Sequence, residues 1–105
     1  MTRSTTLEAF GLEGAIEDGA SAVPHQHFDR THGGDGTAFA ENELHRVSFV
    51  FFGSIQNAMR LMMDAFYSEG PSGGHYRNLM GTFTQVGCGV FLASTGELTI
   101  TQEFR

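Results

Sequence analysis

Between residues 54 and 69 the apolar side chains recur at helical spacing. Ile55, Met59, Met62 and Phe66 fall on one stripe, which predicts a helix capped by Ser54 and running to about Glu69. Three residues beyond Phe66 the stripe reaches Glu69, so a carboxylate ends an otherwise apolar face. Pro71, Ser72, Gly73 and Gly74 stop the helix and let the chain turn sharply, which brings His75 back beside Glu69. A helix of one or two turns follows from His75 to Met80 and ends at Gly81. Downstream the period becomes two. Val86, Cys88, Val90 and Leu92 alternate with Gly87, Gly89 and Phe91, while Leu98, Ile100, Gln102 and Phe104 alternate with Thr99, Thr101 and Glu103. These two runs predict a β-hairpin with its turn at Ser94 to Glu97. Gly87 and Gly89 leave one face of the first strand bare, which predicts an element, such as a helix, docked close against it.

Upstream the pattern is weaker. Val47 to Phe52 is apolar with β-branched and aromatic character and suits a buried strand or a buried helical turn, between which periodicity does not decide. Gly33, Gly34, Asp35 and Gly36 mark a loop, and Thr37 to Leu44 is a short element carrying Glu41 and Asn42. Residues 1–24 are polar and Gly-rich, with a slight helical hint in the spacing of Leu12, Ala15 and Ile16. They are expected to form a divergent or poorly ordered segment ahead of one domain over residues 25–105, with Leu7 to Ile16 as a substitute covering helix in the alternative.

Several of these motifs stand in a familiar order. Phe66-Tyr67-Ser68-Glu69, a glycine-rich turn, Gly74-His75-Tyr76-Arg77-Asn78 and then Phe83-Thr84-Gln85-Val86-Gly87-Cys88-Gly89-Val90 resemble the second half of a CAP domain, the superfamily also called SCP-like or pathogenesis-related 1. Phe28 to Asn42 resembles the first half in its bacterial form, with Ala40 where a glycine is usual. The resemblance implies an α+β fold built as an α-β-α sandwich, here N-terminally truncated or divergent, because the usual first helix has no evident counterpart. It also implies an extracellular protein, although no signal peptide is recognisable: the first 24 residues carry Glu8, Glu13, Glu17 and Asp18 and have no continuous apolar stretch.

Composition narrows the function classes. A chain of 105 residues buries only about 60 to 65% of its surface on folding, enough for one modest core. The net charge of -6, with Arg as the only basic side chain beside His, provides no basic patch for nucleic acid or anionic membrane. One cysteine, Cys88, excludes an internal disulfide, and within its strand it reads as a small buried hydrophobe. No apolar run approaches the roughly 18 to 20 residues of a membrane span.

Carried over by resemblance, His32, Glu41, Glu69 and His75 form the family's two-His, two-Glu constellation, with Tyr76 and Asn78 orienting the His75 turn. Two imidazoles suit Zn2+ or another divalent cation, and the carboxylates can complete the shell or hold the rings' other N–H groups. The same four residues also suit a hydrogen-bonded polar cluster without metal. His25 and His27 sit in a polar stretch with no nearby carboxylate in sequence and read as solvated, and His45 has no evident partner. The leading function is a binding domain whose cleft takes a peptide, glycan or protein ligand. A metal-dependent hydrolase with Glu41 or Glu69 as general base is the first alternative. A lipid or sterol binder using Phe49, Val50, Phe51 and Phe52 is the second, and it requires those side chains to be exposed. If residues 1–24 leave the sheet uncovered, a homodimer would cover it.

Overall fold

The computed structural model describes residues 1–105. In chain order it contains β1 (Thr2–Arg3), α1 (Thr5–Gly19), α2 (Gln26–Arg30), α3 (His32–Gly36), β2 (Ala40–Ser48), α4 (Phe49–Phe52), α5 (Ile55–Ser68), α6 (Gly74–Leu79), β3 (Gln85–Leu92) and β4 (Glu97–Phe104). The fold is α+β. Its four strands form one mixed sheet in the order β1-β3-β4-β2, with β1 parallel to β3 and the other neighbours antiparallel.

Strand alternation sorts β4 into two faces. Leu98 and Ile100 join Ala58, Met62 and Phe66 of α5 in the main core, with Leu44, Val47, Ile55, Leu79 and Val90 packed around them. A bulge makes the β2 contribution possible: Leu44 pairs with Ile100 and Val47 with Leu98, so His45 and Arg46 together oppose Thr99, and both apolar residues stay on the core side. Ser54 caps α5 by accepting from the Asn57 N–H at 3.1 Å, as the pattern predicts.

The opposite face carries Thr99, Thr101 and Glu103, and α1 lies on it. Of the two expectations for residues 1–24, the poorly ordered segment is not what is seen, and the covering helix is, with wider bounds than Leu7 to Ile16. Thr5–Gly19 is a regular helix, capped by the Ser4 hydroxyl accepting from Leu7 N–H at 3.2 Å, and it covers the sheet. Its buried positions are Leu7, Phe10, Gly11, Gly14, Ala15, Asp18 and Gly19, a helical stripe written largely in small residues, whereas Leu12 and Ile16 point outward. A Cβ on Gly87 would meet the backbone of Leu7 and Glu8, and one on Gly89 the backbone of Gly11, so the bare strand face receives the helix almost backbone to backbone. The Thr101 hydroxyl donates to the Gly11 carbonyl at 2.8 Å across this contact. Helices therefore cover both faces of the sheet, and neither is left open for a dimer to shield.

Two shorter segments also differ from expectation. The short element expected at Thr37 to Leu44 is the strand Ala40–Ser48, which displaces its start to beyond Phe39. Val47 to Phe52 divides between the end of β2 and the single turn α4, where Phe49 and Phe52 pack on the core while Val50 and Phe51 stand 88% and 79% exposed. No helix is long and apolar enough to cross a membrane.

Candidate metal centre in a polar cleft

The end of α5, the turn into α6 and the start of β2 enclose a cleft of about 550 Å³ with no apolar side chain in its lining. His25, Glu41, Asn42, Glu69, His75, Arg77 and Asn78 supply its side chains, with Gly73 and Gly74 along one wall.

On one side stands the pair formed at the α5–α6 turn. His75 Nδ1 is 2.6 Å from Glu69 Oε2, and the His75 backbone N–H donates to Glu69 Oε1 at 3.1 Å. A Cβ on Gly73 would collide with the Glu69 side chain, so the glycine is what lets the turn close over the carboxylate. The His75 ring also stacks on Phe66, with centroids 4.0 Å apart and planes 9° from parallel. The hydrogen bond from His75 holds the Glu69 carboxyl below its ordinary value. Asn78 ties α6 to β2, donating to the Glu41 carbonyl at 3.2 Å and to Asn42 Oδ1 at 2.9 Å, while Asn42 donates to the His75 carbonyl at 3.2 Å. Tyr76 packs edge-on against Tyr67, 5.4 Å between centroids.

On the other side is Glu41, buried on β2, and its partner is His25. His25 Nδ1 lies 2.7 Å from Glu41 Oε1, and the His25 backbone N–H donates to Glu43 Oε1 at 2.9 Å. The bond to Glu41 raises the His25 pKa above its usual value despite partial burial. The expected site is thus corrected at one position. His32 opens a left-handed turn in which His32, Gly33, Gly34 and Asp35 take φ of 53, 64, 66 and 54°. That turn tucks Gly33 against the Ala38 carbonyl and Gly34 against the Phe10 ring, and it leaves His32 exposed and outside the cleft. His25 and His27, read from sequence as solvated, are half-buried and buried respectively; His27 packs on Phe10, 4.7 Å between ring centroids. His45, which lacked a partner in sequence, has two: its Nε2 donates to the carbonyls of Asp18 at 2.8 Å and Ser21 at 3.0 Å. Cys88 is half-buried, and burial raises its thiol pKa.

Beneath the cleft lies a feature that sequence reasoning missed. Glu43, Glu103 and Asp18 are buried with Glu41 between the sheet and α1. Asp18 Oδ2, Glu41 Oε2, Glu43 Oε2 and both Glu103 carboxylate oxygens are buried without a hydrogen-bond partner. Desolvation, reinforced by the neighbouring carboxyl of Asp18 for Glu43 and of Glu41 for Glu103, raises the pKa of both groups and holds them protonated through neutral pH. Donor atoms of His25, Glu41 and Glu43 all lie within 4.8 Å of one another, a spacing that one metal ion can bridge; Glu69 and His75 stand outside that group. The strand alternation of Glu41, Glu43 and Glu103 was a signal available in sequence, because three carboxylates share the face opposite the apolar one. Comparison of the chain with protein-family models, curated proteins and solved structures finds no match.

Proposed function

We propose that the chain is a CAP-like binding domain, an α-β-α sandwich whose polar cleft holds a divalent metal, Zn2+ by donor type, and presents it to a peptide, glycan or protein ligand. One observation carries this reading. Both rings that line the cleft direct Nδ1 to a carboxylate, His25 to Glu41 and His75 to Glu69, and leave Nε2 without a protein partner. A carboxylate that accepts Nδ1–H fixes the tautomer in which the Nε2 lone pair is free and makes it a better ligand, as in carboxylate–histidine–zinc arrangements. Helices on both faces of the sheet and the His/Glu turn between α5 and α6 support the CAP-like architecture. The all-polar lining favours a hydrophilic ligand over an apolar one in this cleft.

Calorimetric titration with Zn2+ tests the proposal. The parent protein binds one ion, His25→Ala and His75→Ala weaken it by at least about tenfold, and His32→Ala binds like the parent. A parent that takes up no Zn2+, or loss of binding in His32→Ala alone, overturns it.

The exposure of Val50 and Phe51 favours a second reading on a different surface, in which α4 contacts neutral lipid or sterol. The acidic chain gives no attraction to anionic headgroups, so neutral phosphatidylcholine–cholesterol vesicles are the appropriate probe. The parent co-floats with them and Phe51→Ser does not; a parent that stays in solution removes this reading.

A further inference from the structure

We infer that the floor of the cleft is a second cation site, made by His25, Glu41 and Glu43 and backed by Glu103 and Asp18, that takes a hard divalent cation of the Mn2+ class. It needs neither His75 nor Glu69 but shares His25 and Glu41 with the two-ring Zn2+ site, so the variants of His75, Glu43 and Glu103 tell the two apart.

The donor spacing is the first ground. Atoms of His25, Glu41 and Glu43 within 4.8 Å of one another can all reach a single ion, since carboxylate oxygens coordinate such cations at roughly 2.0 to 2.6 Å. The second ground is Glu103. It is fully buried, neither of its carboxylate oxygens has a partner, and the β2–β4 register sets it directly opposite Glu41 on the same face of the sheet. Asp18, also fully buried, adds an unpartnered Oδ2 from α1. Buried carboxyl groups are ordinarily satisfied by a cationic side chain, a hydrogen-bond donor or a metal.

No arginine does this here. Arg3, Arg30, Arg46 and Arg60 pair with Glu8, Glu17, Glu97 and Asp64, while Arg77 donates to the Ser72 carbonyl and Arg105 to those of Gly36 and Thr37. A dication supplies the missing partner and neutralises the cluster at one centre. The carboxylate-rich donor set suits Mg2+, Ca2+ and Mn2+, and of these the transition metal Mn2+ is the one that also accepts the His25 imidazole. Entry is through the cleft, which His25 and Glu41 both line.

The test is Mn2+ binding to the full chain, followed by calorimetry and by the electron paramagnetic resonance signal of free Mn2+. The parent binds one Mn2+, Glu43→Gln and Glu103→Gln lower the affinity by about 10- to 100-fold, and His75→Ala leaves it unchanged. Glutamine reproduces the shape of a protonated glutamic acid, and circular dichroism checks each variant's fold; should Glu43→Gln not fold, Glu103→Gln decides. Absence of Mn2+ binding in the parent overturns the inference, as does parental affinity in a folded Glu103→Gln. Loss of Mn2+ in His75→Ala also overturns it, by assigning the ion to the two-ring site, whereas failure of Zn2+ binding with Mn2+ binding intact overturns only the two-ring reading.

Discussion

His25 holds a backbone conformation that a side-chain-bearing residue seldom adopts, with φ of 60° at the start of α2. Such a conformation persists only where its surroundings over-determine it, and two carboxylates do so here: Glu43 accepts its backbone N–H and Glu41 its ring. Neither partner is local, since they follow by 18 and 16 residues, and this is why the His25 site was not legible while the Glu69–His75 pair, joined through a short glycine turn, was. His32 was carried over by resemblance, and the Gly-rich segment after it reads as a turn but not as the left-handed one that holds His32 outside the cleft. The acids behind His25 set the pH response. Glu43 and Glu103 have raised folded pKa values, so their contribution to stability is fully present below the unfolded value of about 4.3 and is lost as pH rises toward the folded values. His25, also raised, acts in the same direction from about 6.5 upward. The metal-free protein is therefore expected to lose stability in denaturant titrations between pH 5 and pH 8, with a slope of at most about 1.4 kcal/mol per pH unit for each group. Glu103→Gln flattens that slope, because glutamine stays neutral at every pH; an unchanged slope in the variant would contradict protonation of Glu103.

At the scale of elements, α1 illustrates how a helix can hide from a hydrophobic pattern. Its sheet-facing positions follow the three- and four-residue spacing faithfully, but Gly11, Gly14, Ala15 and Gly19 occupy most of them, while the visible apolar residues Leu12 and Ile16 face outward. The complementary half of the signal was readable in Gly87 and Gly89, whose bare face called for a close neighbour. Close backbone approach and not side-chain area is what the pairing of α1 with β3 uses, so its energetics should respond to added volume. Gly89→Ala places a methyl group against the Gly11 backbone, which no rotamer can relieve, and is expected to cost about 1 to 3 kcal/mol in chemical denaturation. Leu12→Ala, on the outward face, should change stability by no more than about 0.5 kcal/mol. Equal effects from the two substitutions would mean that α1 does not dock through its glycines. By contrast α5, with Met62 and Phe66 buried and its cap at Ser54, follows the expected stripe because it packs through large side chains.

In the whole molecule, α1 and the cleft are not separable. The helix covers the sheet face that carries Glu41, Glu43 and Glu103, it contributes Asp18 to the buried acids, and Glu17 near its end pairs with Arg30 of α2 at 2.6 Å. The Asp18 side chain further accepts the His27 backbone N–H at 2.9 Å, and its carbonyl accepts from His45, so one residue links α1 to α2 and to β2. The hairpin, α5 and the Glu69–His75 turn were legible because each is specified within a short window; the seating of α1 on β3 and β4 was not, because it depends on contacts between residues about 90 positions apart, such as Thr101 with Gly11. Removal of residues 1–24 would take away Asp18, expose the glycine face of β3 and put water onto the three carboxyl groups of Glu41, Glu43 and Glu103 that the fold keeps dry, while also releasing the segment that positions His25. A chain starting at His25 is therefore expected to lose its cooperative thermal transition and its Zn2+ uptake together, and limited proteolysis of the intact protein should not yield a stable fragment beginning near His25. Recovery of a folded, metal-binding fragment from that boundary would show instead that α1 is dispensable, and that the sheet and cleft assemble without the helix that covers them.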